Sequence, residues 1–219
     1  FKAVFTLDSI AGMAIEIMSN TKQLSRRQFS FGALGCALLP LCSLTPRLST
    51  ASAGSDTEAL VLRPASKPAS RFVSAATDHH GQHWLITANS SGAPLTRIKL
   101  PARAHQVIPH PSGNILAIVG RRPGRYLLIA DTATGDFIEE LLPSDGFHFY
   151  GHGVFTADGR FLLTTENHIS SGKGYITVRD GYNNFGIVNR FSSYGIGPHE
   201  IKLSPDGDSI IVANGGILT

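Results

Sequence analysis

An all-β fold built of four-stranded propeller blades is predicted by three observations. A histidine recurs at His105, His152 and His199, two steps of 47 residues each. Each histidine opens the same layout: an extended segment, a tight turn and an apolar run. Hairpin signals then supply about four strands per unit. A period of 20 to 50 residues marks solenoids, propellers or arrays, and units of 40 to 50 residues with four strands are blades.

The alternation is clearest after His199, where Ile201 and Leu203 fall on one face and Glu200 and Lys202 on the other. The turns are Pro111-Ser112-Gly113, Ala157-Asp158-Gly159 and Pro205-Asp206-Gly207. Their glycines accept positive φ without steric cost. The runs "NILAIVG", "RFLLTTE" and "SIIVAN" follow and read as strands buried on both faces. His105 and His199 stand eight residues before their turn glycine and His152 seven, a difference that a bulge or a shortened strand absorbs. The outer strands come from "RYLLIADTATGDFIEELLP" and "GYITVRDGYNNFGIVNRF", each an apolar pair around a Gly/Asn/Asp loop. The segment from Phe72 to His105 fits the period loosely and reads as a short or incomplete blade.

The N-terminal quarter is read as export rather than fold. Ser25-Arg26-Arg27-Gln28-Phe29 is a twin-arginine pattern, Phe31 to Leu44 a weakly apolar stretch, and Ala51-Ser52-Ala53 a small-residue cleavage site. The apolar stretch is too short for a membrane span and is interrupted by Gly32, Gly35 and Pro40. Residues 1–17 are taken as an upstream extension without structural role, 18–53 as the signal, 54–70 as a linker and 71–219 as blades. The expected location is the periplasm, reached by the twin-arginine route, with no stable membrane span after cleavage.

Removing residues 1–53 removes 5 Lys+Arg and 2 Asp+Glu of the chain's 19 and 16, leaving 14 of each. The net charge of +3 therefore belongs to residues 1–53. No basic patch recommends nucleic acid as a partner. Cys36 and Cys42 also fall in the signal, so the remainder has no cysteine-based metal site or disulfide. The chain stops directly after a core strand at "NGGILT". It holds roughly three blades and part of another, against the 4 to 8 of closed rings. A C-terminally truncated propeller with an open edge is expected.

The motifs "LPARAH", "RRPG", "FHFYGHGVFTADGR", "TTEN", "GIGPHE" and "VANGGI" occur in order and resemble the bacterial family called domain of unknown function 1513. The resemblance runs from about Arg71 to Thr219 and implies a seven-bladed propeller with quinoprotein-like, WD40- or YVTN-like blades. It also implies export, and partners among iron-uptake proteins of the imelysin-like and di-haem oxidoreductase-like kinds. It implies no assigned reaction. The run Asn167-His168-Ile169 departs from the family's pattern, in which an acidic residue is commoner.

Inner strands of successive blades line a channel, so like positions form a ring. His105, His152 and His199 are the metal candidates, since neutral imidazole suits several transition metals. Arg121, Arg122, Glu166, Asn167 and Asn214 lie 14 to 17 residues after their histidines and are the ligand-binding candidates. Arg121 and Arg122 suit a carboxylate or phosphate. The competing assignment makes each repeated histidine a hydrogen-bond bridge that fixes a turn. The cluster His79, His80 and His83 resembles a metal tract but reads as a solvated turn. Two function classes remain open: a binding propeller, or a propeller enzyme performing metal-assisted hydrolysis or cofactor-dependent redox chemistry. No catalytic residue is identified. The sequence contains no nucleophile elbow, phosphate-binding glycine loop or C-x-x-C-H haem motif.

Overall fold

The computed structural model describes residues 2–6, 72–132 and 134–216. The expected signal and linker lie outside the described residues. All the described regular structure is β. The first sheet holds β2 (Phe72–Thr77), β3 (His83–Ala88) and β4 (Pro94–Leu100). The second holds β5 (Ala104–Pro109), β6 (Ile115–Gly120), β7 (Leu127–Asp131) and β8 (Phe137–Leu141). The third holds β9 (Phe147–Phe155), β10 (Phe161–His168), β11 (Lys173–Asp180) and β12 (Gly186–Ile196). In the fourth, β13 (Pro198–Leu203) and β14 (Ser209–Asn214) are joined by β1 (Lys2–Thr6). Apart from β1, every strand pairs antiparallel with its neighbour in sequence, the meander of a propeller blade.

The turn after each inner strand is the same object three times. Gly113, Gly159 and Gly207 have φ of 76°, 77° and 79°. Their amides donate to the carbonyls of His110, Thr156 and Ser204 at 2.8, 2.9 and 2.9 Å. Sequence and geometry agree because each glycine must occupy the left-handed region.

The core explains the apolar runs. All six residues of β6 are buried. Leu116 and Ile118 pack with Leu85 and Leu100 of the first sheet. Ile115, Ala117 and Val119, one step out of phase, pack with Phe149, Phe155 and Leu162 of the third. In β10, Leu162 faces the second sheet and Leu163 joins Ile201, Ile210 and Val212 of the fourth. A central strand flanked by two blades needs apolar side chains on both faces, so its sequence loses the period of two.

The first blade has three strands, as its shortness predicts. A difference lies at the other end. Lys2–Thr6, in a segment to which the sequence assigns no structural role, runs antiparallel along β14 from Lys2 opposite Ala213 to Thr6 opposite Ser209. The unpaired edge of β14 offers a ladder of amides and carbonyls that an extended segment can satisfy.

Candidate functional site

Each repeated histidine sits where its strand breaks register. Between β5 and β6, Ala104 faces Gly120 and Gln106 faces Val119, so His105 is the extra residue. Between β13 and β14, Pro198 faces Asn214 and Glu200 faces Ala213, so His199 is the extra residue. Between β9 and β10, Phe149 faces Glu166 and Gly153 faces Thr164. Tyr150, Gly151 and His152 therefore share the space opposite Thr165. A bulge bends a strand and re-aims a side chain. Here three bulges in consecutive inner strands aim three imidazoles at one place.

His105 Nε2 and His152 Nε2 are 3.0 Å apart. The His199 ring centroid lies 5.1 Å from that of His152 and 6.3 Å from that of His105. Gly151 makes this approach possible. Its φ is 109°, and a Cβ there would stand 2.7 Å from His105 Cδ2. Gln106 Oε1 ties the strands together by accepting the Gly153 amide at 2.9 Å.

His152 Nδ1 is 3.5 Å from Glu200 Oε1, an ion-pair distance without a hydrogen bond. The same Glu200 oxygen lies 3.5 Å from Lys202 Nζ. A carboxylate on the Nδ1 side favours the Nδ1–H tautomer, which leaves His152 Nε2 to accept from His105 Nε2–H. Burial pushes His152 down to about 4 against the pull of Glu200, with His105, His199 and Lys202 adding to the depression. Burial also holds His105 below its ordinary value, followed by His199, Arg121, Arg122 and Arg103. Both rings are therefore neutral near pH 7.

A cleft of about 870 Å³ opens beside His105 between β2 and β5, lined by residues 73–77, His83 and residues 103–107. Arg103, His105 and Gln106 supply its polar side chains on the β5 side.

The structure brings some sequence candidates to this place and takes others elsewhere. Arg121 is exposed, with its amide donating to the Arg103 carbonyl at 2.9 Å. Arg122 Nη1 donates to Tyr150 Oη at 2.6 Å, and its guanidinium carbon lies 5.0 Å from the Tyr150 ring centroid. Glu166 does not join the histidines. It is wholly buried inside the third blade, 3.4 Å from Arg179 Nη2 and 3.1 Å from Arg190 Nη2. Its place near a strand end suggests a channel-facing acid, but alternation turns it to the face where those arginines wait. Asn167 is 2 % exposed, and its Oδ1 has no hydrogen-bond partner. Asn214 is a clamp between blades: its Oδ1 accepts from Ser193 Oγ at 2.7 Å and its Nδ2 donates to the Ser193 carbonyl at 2.8 Å.

The turn-fixing role foreseen for the repeated histidines falls to another one. His110 Nε2 donates to the Gly159 carbonyl at 2.9 Å, joining one blade's turn to the next, while its Nδ1 accepts the Ser112 amide at 3.0 Å. In the first blade, His79 and His80 lie in the exposed turn before β3, and His83 Nδ1 is 2.9 Å from Thr77 Oγ1. Among the described residues no three His, Cys, Asp or Glu groups already surround one point as a metal ion requires.

Sequence reasoning missed Glu200, Gly151, Gln106 and Arg103. Glu200 directly follows His199 and Gly151 directly precedes His152, so "GPHE" and "YGHG" held the signal. Among the described residues no helix is long and apolar enough to cross a membrane.

The fold is similar to that of hydrazine synthase from Kuenenia stuttgartiensis, with TM-score 0.53 and 12 % identity over 72 % of this chain and 45 % of that one. The Neurospora crassa Pan2 WD40 domain aligns with TM-score 0.39 and 17 % identity over 50 % of this chain and 30 % of that one. The chain thus spans less than half the length of either. The first likeness supports the β-propeller fold and, at such identity, the fold alone. No curated protein matches the sequence. The family described as "Protein of unknown function (DUF1513)" matches residues 98–219, more than half of the chain. This β-propeller chain therefore belongs to the DUF1513 family.

Proposed function

We propose that this protein is an exported, periplasmic binding propeller that holds a small anionic ligand at the channel end marked by His105, His152 and His199. One observation carries the reading. Three consecutive inner strands give up regular pairing at the histidine position, and all three rings arrive together. A ladder is interrupted where a side chain must be re-aimed, often beside a functional site. The turn-bridging work is already done by His110. Arg103 lines the adjoining cleft, and the exposed Arg121 is tied beside it by the hydrogen bond of its amide to the Arg103 carbonyl. A cleft of about 870 Å³ falls in the range that holds small ligands. Guanidinium groups suit carboxylate or phosphate.

The twin-arginine segment and the Ala-Ser-Ala site support export. The resemblance supplies the setting, with imelysin-like and di-haem oxidoreductase-like proteins of iron uptake as proposed partners. Citrate and inorganic phosphate are suitable probes. Calorimetric titration of the metal-free full chain is expected to give saturable binding of at least one of them. Binding should weaken tenfold or more in the Arg103→Ala/Arg121→Ala double variant. The reading fails if neither probe binds saturably, or if the double variant binds as wild type does.

A further inference from the structure

We infer that the His105–His152 pair is a transition-metal site, completed by the His199 imidazole and oriented by Glu200. The inference rests on the channel end being a binding site, and it names what the imidazoles there hold.

The two Nε2 atoms are 3.0 Å apart. Two imidazole nitrogens on one tetrahedral ion, each at about 2.0–2.1 Å, stand roughly 3.3–3.4 Å apart. The pair thus needs to open by only a few tenths of an ångström. A metal ion then takes the place of the hydrogen that the two nitrogens share. His105 carries its proton on Nδ1 instead, so both rings bind as neutral ligands without net proton release.

The surroundings are those of a ligating histidine. Such a ring generally donates its second N–H to a carboxylate or carbonyl, which fixes the tautomer and the ring plane. His152 Nδ1 faces Glu200 Oε1 at 3.5 Å, which aims the Nε2 lone pair at His105. His199 stands on the next inner strand, with its centroid 5.1 Å from that of His152. Turning that ring inward supplies a third nitrogen. Imidazole-rich sites suit Zn, Cu, Ni or Fe.

The charge pattern defines the rest of the sphere. Arg103 lines the cleft beside His105. A guanidinium there disfavours a bare dication and favours an ion whose open positions carry a carboxylate or phosphate. Glu200 is a positioning residue in this scheme, because it reaches the metal only through His152.

The test is Co²⁺ titration of the EDTA-treated full chain, read by visible absorption, with Zn²⁺ competition. His79→Asn/His80→Asn serves as the background, which removes two adjacent exposed imidazoles, their centroids 3.7 Å apart, from competition for the metal. One equivalent of Co²⁺ is expected to give visible bands that Zn²⁺ abolishes. His152→Asn should weaken binding a hundredfold or more. Glu200→Gln, whose side chain is 39 % exposed, should weaken it about tenfold while leaving the melting temperature near that of the background protein. Absence of bands in the background protein overturns the inference, as do bands unchanged by both substitutions. In either case, citrate or phosphate binding by the metal-free protein leaves the anion site standing. Loss of that binding as well fells both.

Discussion

His105 and His152 stand 47 residues apart in sequence and meet Nε2 to Nε2 at 3.0 Å across two inner strands. The contact exists because each strand carries its histidine on a bulge and because Gly151 leaves room for the His105 ring.

Gly151→Ala is expected to break that meeting. The new Cβ would stand 2.7 Å from His105 Cδ2, on a backbone with φ of 109°. Strain of this kind costs about 1–3 kcal/mol. Urea denaturation should show the loss, and wild-type stability would remove Gly151 from the account.

Glu166→Gln is expected to destabilise the fold by about 3 kcal/mol, because it leaves two guanidinium groups without their shared carboxylate. Oε1 accepts from Thr164 Oγ1 at 3.2 Å and from Arg179 Nη2 at 3.4 Å, while Oε2 accepts from Arg190 Nη2 at 3.1 Å. Burial already holds the Arg179 pKa below its ordinary value, against the pull of Glu166. Chemical denaturation checks this, and an unchanged midpoint would contradict it.

Glu166 also shows where reading the sequence stops. The period of 47, the turn glycines and the doubly apolar central strands are local patterns, so the blades were legible. A bulge is a relation of register between two strands, and neither strand states it alone. Period-two reasoning therefore puts Glu200 on an outward face, while the bulge at His199 brings it to His152. Glu166, placed near a strand end by counting, turns by plain alternation to the face of Arg179 and Arg190, partners that only the register of the neighbouring strands supplies. Pairing of Lys2–Thr6 with β14 joins segments about 200 residues apart in sequence and leaves no local mark.

His110 predicts a pH dependence. Burial lowers its pKa from 6.5, only partly offset by the Gly159 carbonyl and by Asp158. The unfolded chain then takes up a proton more readily than the folded one between the two pKa values. The stabilisation is complete above about pH 6.5 and is lost as pH falls toward and through the folded value. His105 and His152 act in the same direction. The melting temperature should fall between pH 7 and pH 5, and His110→Asn should flatten part of that fall while lowering the value at pH 7. Identical slopes would exclude His110.

Replacing Arg26 and Arg27 with Lys is expected to leave the precursor in the cytoplasm, because the receptor of this export route reads the arginine pair. Fractionation followed by immunoblotting checks it. Unchanged periplasmic accumulation would contradict the twin-arginine reading.

The central claim is that the bulged histidines form one binding site. The most direct measurement follows the ring ¹⁵N resonances of His105 and His152 during citrate titration of the metal-free protein, with inorganic phosphate as the second probe. The account predicts that both rings shift together with one saturating concentration dependence, while His110 stays fixed. Resonances of His105 and His152 that do not move with either anion would contradict it.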